Sequence, residues 1–340
     1  MPPGKGGLLE EYPIASLPET PTWSENFAYA CFDPAASISF FCHIGRWRRD
    51  LNLWREVVTI ALPDGTVLVH RTIGNALASP EGPGGTNFSV RISAAESQFR
   101  LRFLGGVRRV SETELFEGPL RDGPHYRLEF EVDFNGIAPV WDISAVGHKT
   151  DFMGAGHVEQ FGRFRGTIMV GEERYEIDTI GNRDHSRGPR VFDSNLRHNW
   201  LHGVLDDGTM FQLYEAEIAG RDGAAYAEAN VVRESVPKKA IATIHDKLPF
   251  TENRSLIRNP VRLSIDDGRG RIDVTAERFV RLISLQSTSP NDMYVGRRQE
   301  DEAQNTTVSE QGVLFRTSDD RTGYGHIERL VPGKLLVDPA

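Results

Sequence analysis

The chain has 340 residues, enough for two hydrophobic cores rather than one. Hydrophobic residues make up 39% and charged residues 26%, a balance that buries sizeable cores and keeps the chain soluble. The net charge of -9 and the lack of a dense Lys/Arg block exclude nucleic acid as a partner, because Arg46-Trp47-Arg48-Arg49 and Arg297-Arg298 are too short to neutralise a phosphate backbone.

Residues 1–22 read as an N-terminal extension rich in Pro, Gly and acidic residues. They lack the basic start and apolar run of a signal peptide. No stretch approaches the roughly 18 apolar residues of a membrane-spanning helix, so no transmembrane segment is expected and the cytoplasm is the expected location. Aromatic-rich strands are predicted over 26–32 and 37–44, around an Asp33-Pro34 turn. They carry Cys31 and Cys42, which read as two buried, reduced thiols. Strands over 54–62 and 66–73 flank Pro63-Asp64-Gly65, a turn sequence. Residues 87–92 and 98–104 form a further hairpin, and 127–134 alternates strictly between apolar and polar side chains. The pattern breaks over 137–156, which suggests a loop or short helix between two halves. Strands resume over 162–170 and 174–180. Residues 200–205, Asp206-Asp207-Gly208 and 209–217 make the clearest hairpin. Further strands are expected over 227–233, 261–265, 271–279, 281–285 and 323–330, and a helix over 291–302. The fold class is all-β, as two antiparallel barrels or sandwiches. The domains expected are 23–155 and 156–335.

The segment Gly181-Asn182-Arg183-Asp184-His185-Ser186-Arg187-Gly188-Pro189-Arg190 follows a strand and gathers polar groups, expected at the mouth of an apolar pocket. It reads either as an ordered loop whose Asp184 pairs with an arginine, or as part of a site. His157 and Glu159 share one face of a strand by alternation, as do His198, Trp200 and His202, and Tyr226 and Glu228. Three chemistries compete for this set. A buried carboxyl of raised pKa could donate a proton beside an aromatic wall. A metal could be held by His157, Glu159, His198 or His202, but no dense ligand motif such as HExxH is present, so no metal is expected. A Ser-His-Asp nucleophile fails because Asp184, His185 and Ser186 are adjacent and cannot converge, and no G-x-S-x-G elbow surrounds Ser186.

The string from His157-Val158-Glu159-Gln160 through residues 181–190 resembles the hydroxyneurosporene synthase (carotenoid 1,2-hydratase) and AttH-like group. Trp200, Leu205-Asp206-Asp207-Gly208-Thr209 and Gln212-Leu213-Tyr214 look like its next hairpin, and Gly323-Tyr324-Gly325-His326-Ile327-Glu328 like its closing strand. The match covers mainly residues 155–330. The resemblance implies a pair of lipocalin-like (calycin-type) barrels around an apolar cavity. The group is similar to tocopherol cyclases and to lipocalin-like pericyclases. Its carotenoid members hydrate an alkene without a cofactor, using His, Trp, Tyr and an acid. His198-Asn199-Trp200 resembles the His and Trp, and Tyr226-Ala227-Glu228 the Tyr and the acid, with Glu in this chain.

Two expectations follow. The first is a cofactor-independent lyase or isomerase acting on an isoprenoid, steroid or polyketide-like substrate. Its catalytic candidates are Asp184, Glu159, His185, His198 and Glu228. Trp200, His202, Tyr214, Tyr226, His157 and Arg183 would bind substrate, with Arg183 and His185 orienting the acid or a water. The second is a non-catalytic carrier of a hydrophobic molecule, with Arg183-Asp184-His185 pinning the seam between halves.

Overall fold

A computed structural model describes residues 11–20, 22–47, 49–75, 81–117, 120–143, 155–189, 196–218, 226–245, 260–289, 292–296 and 306–332. The strands are β1 (Trp23–Asp33), β2 (Ile38–Trp47), β3 (Asp50–Ala61), β4 (Val67–Asn75), β5 (Phe88–Ala94), β6 (Gln98–Val110), β7 (His125–Gly136), β8 (Trp141–Asp142), β9 (Gly156–Val170) and β10 (Glu173–Pro189). They continue as β11 (Leu196–Leu205), β12 (Met210–Ile218), β13 (Tyr226–Arg233), β14 (Val236–Ile244), β15 (Val261–Asp266), β16 (Arg271–Ser289), β17 (Asp292–Val295), β18 (Thr306–Thr317) and β19 (Thr322–Pro332).

These strands close into two antiparallel eight-stranded barrels. The first runs β10-β1-β2-β3-β4-β6-β7-β9 and closes through β9 and β10. The second runs β15-β14-β13-β12-β11-β19-β18-β16 and closes through β15 and β16. Strands β9 and β10 pair with β7 and β1, so residues 156–189 belong to the first sheet. The second sheet begins only at Leu196, so the expected boundary at 155/156 falls inside the first barrel.

Strand alternation explains both cores. In β7, Leu128, Phe130, Val132 and Phe134 are buried while Arg127, Glu129 and Glu131 face water. The inward set of the first barrel includes Phe27, Tyr29, Phe40, Phe99, Phe103, Phe134 and Phe164, whose rings pack tilted or edge to face. An eight-stranded barrel is just wide enough to be filled by its own side chains. Each buried ring contributes about 1.5–3 kcal/mol. The second core holds Leu201, Phe211, Leu213, Val231, Val313, Phe315 and Ile327. Cys31 and Cys42 are buried free thiols on neighbouring strands of the first barrel.

Strands β1, β11 and β12 are buried on almost every residue, not on alternate ones. One face fills a barrel and the other meets the opposite barrel. Ala28, Ala30 and Phe41 of the first barrel meet Trp200, Tyr214, Ala216, Tyr226, Val308 and Leu330 of the second. The approach is close: a Cβ on Gly312 of β18 would stand 2.3 Å from Ser39 Oγ.

Residues 292–295 of the expected helix over 291–302 are instead strand β17, hairpin-paired with β16 and burying Val295 beside Val57 and Val69; residues 297–302 lie outside the described residues. A short helix α1 (Glu112–Glu117) forms instead. It starts with a capping box: the Glu114 amide donates to Ser111 Oγ and the Glu114 carboxylate accepts from the Ser111 amide. Among the described residues no helix is long and apolar enough to cross a membrane.

Candidate functional site at the seam between the barrels

Strands β9 and β10 pair with Asp184 opposite Glu159 and Ser186 opposite His157. Alternation sends His157, Glu159, Asn182, Asp184 and Ser186 outward, toward the second barrel. It sends Gln160, Arg183 and His185 the other way. Glu159 is buried in the seam. Its Oε2 accepts from Trp200 Nε1, at 2.9 Å, and from Asn182 Nδ2, also at 2.9 Å. Asn182 Nδ2 also donates to Gln212 Oε1 at 3.0 Å, so donors from both barrels hold this end of the carboxyl. The other oxygen, Oε1, has no hydrogen-bond partner among the described residues and lies 3.7 Å from His157 Nε2. His157 Nε2 is ion-paired with Asp184.

Burial pushes the Glu159 carboxyl up to about 7. The charge of Asp184 adds to the rise, while His157, Trp200 and Asn182 offset part of it. His157, Glu159 and Asp184 each offer a ligand atom, all within 4.8 Å of one another, close enough to grip a cation. In this arrangement His157 and Asp184 are joined to each other instead.

The second barrel supplies the facing wall. Its register sets Trp200 between Tyr214 and Glu328, and His202 between Gln212 and His326. Tyr214 packs edge-on to Tyr226 at 5.8 Å and to His157 at 6.3 Å. Tyr226 donates its hydroxyl proton to the Ile143 carbonyl at 2.9 Å. His198 joins Tyr214 through Nδ1, at 3.0 Å, and Glu328 through Nε2. His326 Nε2 bonds Glu310 Oε2 at 2.7 Å, and His202 stacks on His326 at 5.4 Å. Burial drives His326 down to about 4 and His202 well below its usual range, so both imidazoles are neutral at neutral pH.

The family described as "Domain of unknown function (DUF7064)" matches residues 11–332. The chain belongs to that family. No curated protein matches this DUF7064 chain. Solved structures do resemble it. CghA aligns with a TM-score of 0.58 at 13% identity, covering 98% of this chain and 97% of its own. An AttH-like protein from Nitrosomonas europaea gives 0.57 at 14%, covering 95% and 100%. Kievitone hydratase from Nectria haematococca gives 0.50 at 13%, covering 90% and 88%. The DUF7064 chain therefore has the AttH-like lipocalin fold, as its sequence resemblance implies.

The DUF7064 seam brings together His157, Glu159, Asp184, His198, Trp200, His202, Tyr214 and Tyr226. Two expected site residues lie elsewhere. Arg183 turns into the first barrel, where it pairs with both oxygens of Glu11, donates to Gln160 Oε1 at 2.8 Å and stacks on Phe99 at 4.3 Å. His185 stacks on Phe27 at 4.0 Å, and its ring nitrogens face Glu25 and Glu11. Their expected role of orienting the acid does not fit, because single-residue alternation puts them behind the sheet. Arg183 is indeed bound by a carboxylate, but that of Glu11 rather than Asp184. Glu228 is on the seam-facing side of β13, opposite Tyr214, and its carboxylate is engaged by Lys239 at 2.9 Å. The polar cluster lies at the seam between the barrels, where Glu159 and Trp200 are hydrogen-bonded across it. Sequence reasoning missed Asn182 as a partner of Glu159 and Gln212 as a partner of Asn182, and Glu310 and Glu328 as partners of the histidines. A usable signal was the parity of His326 and Glu328 within the last strand.

Proposed function

We propose that the seam is an acid–base site that protonates a carbon–carbon double bond of a hydrophobic small molecule, giving a cofactor-independent hydratase, cyclase or isomerase. One observation carries this reading: Glu159 is a desolvated carboxyl titrating near 7, with one oxygen fixed by Trp200 and Asn182 and the other uncommitted. A general acid is most effective when its pKa lies near the working pH. The proton leaves Glu159 Oε1 for one alkene carbon, a C–H bond forms, and a carbocation is left on the other carbon. The new carboxylate keeps its Trp200 and Asn182 hydrogen bonds. The rings of Trp200, Tyr214 and Tyr226 stabilise the cation through their faces. Addition of water gives a hydrated product; loss of a different proton gives an isomer or a ring. Isoprenoid, steroid and polyketide-like alkenes fit this chemistry, and hydration of the carotenoid type is one form of it. The name of the neighbour kievitone hydratase is consistent with it. The carrier alternative is disfavoured by the first barrel, whose described core is packed with its own aliphatic side chains and phenylalanine rings.

The test is incubation of the protein in D₂O with a panel of such alkenes, followed by mass spectrometry. The expected result is deuterium bound to carbon, or gain of one water, in one substrate class. Glu159→Gln should lower that rate by about 10²-fold or more. Wild-type rates in Glu159→Gln would overturn the assignment.

A further inference from the structure

The second barrel buries a chain of titratable groups that the acid alone does not use. Tyr214, His198, Glu328, Glu310 and His326 come from β12, β11, β19, β18 and β19, and all sit on the seam side of their strands. The contacts are continuous. Tyr214 meets His198 Nδ1, His198 Nε2 meets Glu328, Glu328 is hydrogen-bonded to Glu310, and Glu310 Oε2 meets His326 Nε2. No arginine or lysine takes part in these contacts, so the chain is not a surface ion-pair ladder.

Proton positions follow from donor and acceptor rules. The carboxylate of Glu328 can only accept, so His198 donates Nε2–H to it. When His198 carries a single ring proton, Nδ1 is the acceptor and Tyr214 donates its hydroxyl proton to it. Burial, followed by the charge of Glu328 and the hydrogen bond to it, pushes Glu310 well above the usual carboxylate range. Glu310 therefore keeps its proton and donates it to Glu328, while its other oxygen accepts from neutral His326. Burial alone would raise Glu328. The hydrogen bond from His198 outweighs that, with help from the hydrogen bond of Glu310, and holds it below its usual value. Two donors, one on each side, thus point at one carboxylate.

We infer that Tyr214 is the catalytic base facing Glu159 across the seam, backed by His198 and Glu328 as a proton relay, with Glu310 and His326 as the positioning pair that keeps Glu328 ionised. The inference rests on the acid reading of Glu159. Tyr214 takes a proton from the cation or from the attacking water, forming a new O–H bond. Its own O–H breaks as His198 Nδ1–H forms, and His198 Nε2–H breaks as the Glu328 carboxyl O–H forms. The proton given by Glu159 is balanced by the one stored on Glu328, and no other reactant is needed. Tyr226 cannot take this role, because its hydroxyl is committed to the Ile143 carbonyl. The groups facing Glu328 are His198 from β11, Glu310 from β18 and His326 from its own strand; on the first-barrel side Phe41 of β2 stacks against His326 at 6.3 Å.

Two measurements decide it. Infrared spectroscopy of the substrate-free protein should show one protonated-carboxyl band that does not titrate between about pH 5 and about pH 9. Glu310→Gln should remove that band and Glu328→Gln should retain it. Loss of the band in Glu328→Gln instead, or no such band in the wild type, overturns the relay, whatever becomes of Glu159. In the D₂O assay, Tyr214→Phe should lower kcat by about 10²-fold or more with KM within about two-fold and an unchanged melting temperature. Wild-type kcat in Tyr214→Phe overturns the base while leaving Glu159 as the acid. Failure of every alkene to react with the wild type sinks the acid reading, and the infrared bands still decide the relay.

Discussion

Replacing Glu159 with Gln should make the protein more stable at alkaline pH, and the size of the gain follows from the site. The amide keeps an oxygen to accept from Trp200 Nε1 and Asn182 Nδ2, so geometry is preserved while the charge is removed. In the folded wild type the carboxyl titrates at about 7 against a usual value of 4.5. Folding therefore takes up a proton. The stability tied to this group is fully present below pH 4.5 and is lost as pH rises through about 7. The whole shift corresponds to about 3 kcal/mol, of which about 2.5 kcal/mol develops between about pH 5 and about pH 8. Urea unfolding of both proteins across that range gives the difference directly, because groups common to both cancel. The expected curve is steepest between about pH 5 and about pH 7, levels off towards about pH 8, and by then has risen in favour of Glu159→Gln by about 2 to 3 kcal/mol relative to pH 5. A pH-independent difference, or a wild type that gains on the variant as pH rises, would show a carboxylate ionised throughout and would end the case for an acid.

Arg183→Met should lower stability by about 3 to 5 kcal/mol, because it strands the Glu11 carboxylate and Gln160 in a buried site. Deuterium transfer per folded molecule should persist in that variant, since Arg183 lies behind the sheet; thermal melts and the D₂O assay read the two effects separately. Zinc added at micromolar levels should leave the melting temperature within about 1 °C, because His157 and Asp184 hold each other and Glu159 Oε1 is needed for proton transfer. Stoichiometric binding with a clear upward shift would make His157, Glu159 and Asp184 metal ligands and remove Glu159 as the acid.

The strands were readable because alternation is local. The 127–134 pattern becomes β7 with its apolar residues inward, and the turn at Asp206-Asp207-Gly208 forms with the Thr209 amide donating to Asp207 Oδ1 at 2.8 Å. The shared faces of His157 with Glu159, and of His198 with Trp200 and His202, followed from the same rule. That rule also separates Asp184 from Arg183 and His185, so grouping the whole string as one site went against it. Closure was not readable. That β10 pairs with β1 and that β19 enters between β11 and β18 depend on pairings between distant segments, which no window of sequence contains. The His198–Glu328 contact spans 130 residues and appears only once β11 and β19 are in register. The region expected to be helical failed for a related reason: pairing with β16 outweighs a weak helical period.

The position of the site follows from how the barrels use their two faces. Each described interior is occupied by the barrel's own apolar side chains. Polar residues on outward faces ordinarily remain in water, where a glutamate ionises at its usual pKa. The outward residues His157, Glu159 and Asn182 of the first barrel and His198, Trp200, Gln212 and Tyr214 of the second meet the other barrel and lose their water. Desolvation is the largest single cause of the Glu159 shift, and the donors that fix its Oε2 come from both barrels. The acid is thus a product of docking: Glu159 on the first barrel alone would be a solvated carboxylate, and Trp200 on the second an exposed indole. The same reasoning applies to Glu310, whose retained proton depends on burial against the first barrel and on the ionised Glu328 beside it. Whatever holds the two barrels together, including the close approach of Gly312 to Ser39, therefore acts on the proton chemistry as well as on stability.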